Sequence, residues 1–243
     1  FVLYNEAGST LTNSGNAIAG GENAIVNITR TSDSLSQVNR GTITATNGYS
    51  AIKTASTGSN SNGKWIWNTE TGVINGINPD APLIDLGRGY NFANAGTINV
   101  QGDGSVAISG GTTSYTVQLV NSGTINVGTE QGKADGSNGE GLIGIKGNGS
   151  ATTINNTKDG VINVYADNSW AFGGSTKAIV NNGIINLLCN IGCEIYAPNT
   201  TGTRNSQDGT ADIIVPDASA TPGQGNVPAA PVNAVSQQKL TNY

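Results

Sequence analysis

One phrase recurs along this chain and limits what it can fold into. An asparagine is followed by a short spacer, a glycine and then alternating apolar residues. It appears as Asn13-Ser14-Gly15-Asn16-Ala17-Ile18 and as Val38-Asn39-Arg40-Gly41-Thr42-Ile43. A stretched copy is Asn68-Thr69-Glu70-Thr71-Gly72-Val73-Ile74-Asn75. The clearest copies are Asn94-Ala95-Gly96-Thr97-Ile98-Asn99-Val100 and Asn121-Ser122-Gly123-Thr124-Ile125-Asn126-Val127. Two more follow, Asn156 to Val164 and Asn181 to Leu187. The phrase glycines lie 26, 31, 24, 27, 37 and 23 residues apart. The underlying period is therefore about 23 to 27 residues with tolerated insertions, the repeat length of a solenoid. The longest interval holds Thr129 to Gly141, a Gly-rich polar stretch that reads as an inserted loop.

Two weaker motifs fill each period. One is a small residue before an apolar pair, as in Ser50-Ala51-Ile52, Ser105-Val106-Ala107-Ile108 and Trp170-Ala171-Phe172. The other precedes the next asparagine, as in Trp65-Ile66-Trp67, Tyr90-Asn91-Phe92 and Val117-Gln118-Leu119-Val120. Each period thus carries about three short runs with apolar residues at alternate positions, which is strand patterning. In Thr124-Ile125-Asn126-Val127, Ile125 and Val127 face in and Thr124 and Asn126 face out. A strand of three to five residues needs a neighbour to pair with, and its equivalent one period away supplies it. The predicted fold is all-β, a right-handed parallel β-helix with three sides and about 7–9 coils. Seven phrases at the spacing of paired strands imply a rod roughly 35 to 40 Å long. A β-sandwich with coincidental Asn-Gly turns is the plainer alternative. The phrase glycine suits a bend that needs positive φ or a tight corner. The phrase asparagine tolerates left-handed backbone and can bond nearby backbone groups, so stacked copies predict an Asn ladder at one corner.

Composition agrees with this. Glycine, asparagine and threonine supply 35, 32 and 27 of 243 residues, and all three are poor helix formers. Hydrophobic residues reach 36%, mostly Ile and Val in a regular pattern, which a disordered chain lacks. Residues 1–215 are assigned to the β-helix. Residues 216–243, with Pro216, Pro222, Pro228 and Pro231, read as a Pro/Gly/Ala-rich linker or cap. The chain starts at Phe1 without a signal peptide and is expected to be a mature or excised fragment.

The same residues narrow the chemistry. There is no histidine, which excludes Ser-His-Asp and Cys-His catalysis and imidazole metal sites. The net charge is -5 with no Lys/Arg cluster, so no nucleic-acid partner is expected. No apolar run is long enough to cross a membrane as a helix. Cys189 and Cys193 lack further ligands for a metal. A short-loop disulfide fits them better than free structural thiols. Neither a metal nor any other cofactor is expected.

The N-x-G-T-I-N-V phrase, the Gly/Asn/Thr bias and the acidic composition resemble the passenger domains of bacterial autotransporters. The likeness is greatest to the AIDA-type, self-associating adhesins that include antigen 43, and it covers about Asn13 to Asn190. It implies a passenger displayed on the bacterial surface and anchored by a separate C-terminal β-barrel. A closely spaced disulfide such as Cys189–Cys193 could pass a narrow export pore. It implies adhesion without catalysis, through self-association with copies on neighbouring cells or through host glycans or extracellular-matrix protein. Outward phrase residues Thr97, Asn99, Thr124, Asn126 and Asn163 are the candidate contacts. If a host ligand is bound instead, the loops Thr57–Gly63 and Thr129–Gly141 gain importance.

Trp65, Trp67, Tyr90, Phe92 and Trp170 stand out among few aromatics. Trp65 and Trp67 share one face of a strand, and either core stacking or an exposed glycan- or protein-binding platform accommodates them. With Tyr90 they are the second candidate surface. The rival function is a carbohydrate-active β-helix enzyme, a polysaccharide lyase, hydrolase or tailspike. That needs clustered carboxylates, yet Asp80, Asp85, Arg88, Asp103, Asp135, Glu140 and Lys146 look scattered, mostly one per coil. Gly102-Asp103-Gly104-Ser105 and Asp135 to Glu140 read as polar turns rather than calcium loops.

Overall fold

The computed structural model describes residues 37–46, 48, 50–54, 64–77, 82–87, 89–111, 113 and 115–205, with Gly8 and the short strands 4–5, 10–13, 24–28 and 213–214. Among them the chain winds as a parallel β-solenoid. One turn runs through Tyr90–Asn94, Thr97–Gln101 and Val106–Gly110 before Val117–Asn121 begins the next. Each strand pairs in parallel with its equivalents before and after. Thr97, Ile98, Asn99 and Val100 lie beside Thr124, Ile125, Asn126 and Val127, which lie beside Val161, Ile162, Asn163 and Val164. The phrase strands build an eight-stranded sheet. The other two faces merge into one fourteen-stranded sheet. They join because the 12-residue strand Trp170–Asn181 rounds a corner, pairing with Ile143–Asn148 on one face and Thr152–Asn156 on the next.

On the phrase face, consecutive rungs begin at Thr42, Val73, Thr97, Thr124, Val161 and Ile184. Six rungs are joined by about five turns, fewer than the expected 7–9. The span between first and last is about 24 Å at ordinary strand spacing. Two things inflated the expectation. Each phrase marks a rung, and rungs outnumber the turns between them by one. The strands Thr10–Asn13 and Ile213–Ile214 extend this sheet in backbone outline only, and most of the Asn13–Ile18 phrase lies outside the described residues. The proposed linker at 216–243 also lies outside them.

The core is one stacked column per inward position. Ile43, Ile74, Ile98, Ile125, Ile162 and Ile185 are all fully buried and in register. Ile66, Phe92, Leu119, Ile154 and Ile179 line another face. Burial of each such side chain contributes about 1.5–3 kcal/mol relative to exposure. Longer intervals are absorbed outside these columns. The 37-residue interval leaves the pairing of Thr124 with Val161 intact and holds a short helix, Glu130–Asp135.

The phrase corner explains the Asn-x-Gly spacing. Asn39, Asn68, Asn94, Asn121, Asn156 and Asn181 are buried at 0–3% exposure and form a continuous amide ladder. Each Nδ2 donates to the next Oδ1 along the rod at 2.7–2.8 Å. The second N–H of Asn68, Asn94, Asn121 and Asn156 reaches across the bend to the carbonyl of the phrase glycine at 3.1–3.3 Å. The phrase glycines Gly72, Gly96, Gly123, Gly160 and Gly183 do not have positive φ, and neither do the corner asparagines. Glycine is needed here for close approach. A Cβ on Gly96 would run into the carbonyl oxygens of Gly72 and Thr69 in the rung beneath.

Candidate functional site

Three surfaces merit comparison. The first is the outward side of the phrase sheet. Thr97, Asn99, Thr124, Asn126 and Asn163 are brought together there, all half-buried. The asparagines form a second ladder. Asn99 donates to Asn75, Asn126 to Asn99, Asn163 to Asn126 and Asn186 to Asn163, at 2.7–2.8 Å. Asn75 closes the series on the Thr44 hydroxyl at 3.3 Å. A primary amide has two N–H donors and two acceptor lone pairs. A mid-ladder residue such as Asn126 uses one of each on its neighbours, so one of each is uncommitted within the ladder. Where each ladder ends, Asn181 Nδ2 of the corner ladder and Asn186 Oδ1 of the outward ladder have no hydrogen-bond partner.

The second surface surrounds Trp67. On the strand Lys64–Asn68, Ile66 faces the core, so Trp65 and Trp67 face out. Trp67 is 48% exposed and Trp65 half-buried. Tyr90 does not join them: it is 4% exposed and packs in the core with Phe92. The reason is strand parity, because position 90 alternates with Asn91 onto the inward side of its strand. Trp67 borders an open groove of about 510 Å³ whose other walls include Ala93, Ala95 and the bend Thr69–Thr71.

The third is a polar cleft of about 540 Å³ beside the inserted segment. Asp103, Lys133, Glu140, Tyr165 and Asp167 line it, so successive turns bring together carboxylates that look scattered in the sequence. Each carboxylate has a structural partner. Asp103 Oδ1 accepts from the Glu140 backbone N–H at 3.0 Å. Asp167 Oδ1 accepts from those of Asn190 and Ile191 at 2.7 and 3.1 Å. Glu140 Oε2 accepts from Asn168 Nδ2 at 3.1 Å. Burial and, less strongly, the charge of Glu130 push the Tyr165 hydroxyl above its ordinary pKa. No cluster of acidic or cysteine side chains suited to a metal occurs among the described residues. Asp85 lies 3.9 Å from Lys53 of the preceding turn; Asp80, Arg88 and the loop Thr57–Gly63 are outside the described residues.

The inserted segment 129–141 is a folded knob rather than a loose loop. Thr129 caps the helix Glu130–Asp135, accepting from Gly132 N, and Gly136 ends it in the left-handed conformation. The buried Asn138 fastens the knob. It accepts from Thr129 N at 2.7 Å and Gln101 Nε2 at 3.2 Å, and donates to Thr129 O at 2.8 Å. Cys189 and Cys193 form a disulfide.

The sequence profile of the family described as BigA fourth domain matches residues 1–192. The chain belongs to the BigA fourth-domain family. It is also 72% identical, over all 243 residues, to the surface-exposed virulence protein BigA of Salmonella typhimurium strain LT2. The chain spans 12% of that relative's length. No solved structure matches it.

Within this BigA fourth-domain chain, the expected ladder residues lie on one face, and two more, Asn75 and Asn186, belong with them. Both sit three residues after a phrase glycine, as Asn99, Asn126 and Asn163 do, so the phrase spacing carried the signal. Asn138 and the cleft were not foreseen. They depend on the fold of an insertion that has no repeat to read.

Proposed function

We propose that this chain is a rigid, non-enzymatic adhesive segment of a bacterial surface protein. It acts as an autotransporter-type passenger anchored by a β-barrel elsewhere in the full-length protein. Its relative's description as surface-exposed supports that setting. The outward ladder carries the adhesive reading: it offers a row of spare amide donors and acceptors, one residue per rung, on one face of a parallel sheet. Each hydrogen bond made there is worth about 0.5–1.5 kcal/mol net, so several in a row give reversible contact. Copies on neighbouring cells are the favoured partners, and aggregation and biofilm growth are the expected outcome.

Sedimentation velocity across a concentration series tests this. The wild type should self-associate, and a Thr124→Lys/Asn126→Lys variant should stay monomeric with an unchanged melting temperature. A wild type that remains monomeric at high concentration sinks self-association. The polar cleft favours one alternative, a carbohydrate-active enzyme using Asp103, Glu140 or Asp167. Depolymerisation of an acidic polysaccharide, abolished by Glu140→Gln, would establish it over the adhesive reading.

A further inference from the structure

We infer that the groove beside Trp67 is a carbohydrate-binding site in which one pyranose ring stacks on the indole. The inference rests on the adhesive reading and adds a ligand class and a location. The strand Lys64–Asn68 presents Trp67 at 48% exposure, an unusual position for a side chain so costly to hydrate. Its register neighbour on the next turn is Ala93. The small side chains of Ala93 and Ala95 leave a shelf beside the indole, one rung wide.

The opposite wall is the stretched phrase. Asn39-Arg40-Gly41 and Asn94-Ala95-Gly96 turn this corner with one residue between Asn and Gly, whereas Asn68 to Gly72 uses three. The two additional residues raise a bend on which Glu70 and Thr71 are exposed. Thr69 and Thr71 donate their hydroxyl protons to the carbonyls of Asn39 and Arg40 at 3.1 and 2.8 Å. Their oxygens keep lone pairs to accept from a ligand. The groove therefore has one aromatic face and a polar rim, with Glu70 and the threonine oxygens as acceptors and the Arg40 guanidinium as a donor. A pyranose ring has the matching shape, an apolar face of C–H groups and a perimeter of hydroxyl donors.

The geometry disfavours a second copy of the chain as occupant. The exposed Glu70 and Thr71 stand on the lining of the groove, where a second rod would have to clear them to reach the indole. Eight residues line the groove, far fewer than the roughly 20–30 that each side of a stable protein interface contributes. The bend alone does not make the site. A second stretched phrase, Asn156 to Gly160, has Asn155 where the first has Trp67. The cavity fits a short oligosaccharide.

Saturation-transfer NMR on the whole chain with cellotriose, maltotriose, chitotriose and 3′-sialyllactose tests the site. At least one should receive saturation at its ring protons. Trp67→Ala should weaken that sugar at least tenfold, and Trp67→Phe less. Ala93→Leu, which fills the shelf and keeps the indole, should weaken it similarly. Circular dichroism and the melting temperature should be unchanged in all three. The Thr124→Lys/Asn126→Lys variant should bind the sugar like the wild type, which separates this site from the self-association face. No transfer to any of the four sugars, or binding that survives Trp67→Ala, overturns the proposal. So does a Trp67→Ala variant whose only defect is lost self-association, because the groove would then belong to a second copy.

Discussion

Asn121 and Asn126 stand five residues apart in one phrase and answer to different physics. Asn121 is fully buried, accepting from Asn94 and donating to Asn156, Gly123 and Val161. Asn121→Ala strands the Asn94 donor and the Asn156 acceptor where water is excluded. Each stranded group costs about 1–3 kcal/mol. Asn126 makes the same kind of ladder bond at a half-buried outward position. Its neighbours can turn to water, so Asn126→Ala should cost about 0.5 kcal/mol or less. Urea unfolding midpoints of the two variants check the contrast. Equal losses would mean that the corner ladder does not depend on burial. The phrase made both ladders legible as positions. Which of them is buried follows from the corner bend, where the carbonyls of one rung press on the glycine of the next.

Two elements sit on the regular stack and can be disturbed separately. The knob at 129–141 hangs on Asn138, whose amide bonds Thr129 and Gln101. Asn138→Ala should speed amide hydrogen exchange across that segment and leave the exchange of Thr124–Val127 and Val161–Val164 unchanged. Spread of the effect into those strands would show that the knob supports the rod. The last turn supplies a pH-sensitive contact. The Tyr196 ring packs 5.9 Å from Phe172, and the Arg204 guanidinium lies 4.2 Å over it. Burial pushes the Tyr196 hydroxyl above its ordinary pKa, partly offset by the Arg204 charge. With the folded value above the unfolded one, its contribution is fully present below about pH 10 and is lost as pH rises through the folded value. Tyr196→Phe should therefore lose less stability than the wild type between pH 9 and pH 11, read from denaturation midpoints. Neither element was legible in detail. Parity placed the inward isoleucines and the outward asparagines because the repeat averages over copies. The knob and the outward turn of Trp65 and Trp67 occur once each, and for the tryptophans parity left both core and surface open.

At the scale of the molecule, each rung touches only its neighbours, so damage should be local. Ile125 is fully buried between Ile98 and Ile162. Ile125→Asp places an unpaired carboxylate there at a cost of several kcal/mol. In a stack governed by nearest-neighbour contacts, hydrogen exchange should rise most in Thr124–Val127 and its neighbours Thr97–Gln101 and Val161–Val164 and fade toward Val73–Ile77. Uniform acceleration along the chain would show an all-or-none fold instead. The two amide ladders also differ in sense. Along the buried corner every Nδ2 points toward the C-terminal end, from Asn39 to Asn181. On the outward face every Nδ2 points the other way, from Asn186 back to Asn75. An amide group has a dipole of about 3.5 D, so these are two strings of aligned dipoles running in opposite directions. Their axial moments largely cancel over the whole rod. At the surface only one string is close, so the outward face has a head and a tail without net charge, and a body lying along it meets a different field in each of its two orientations.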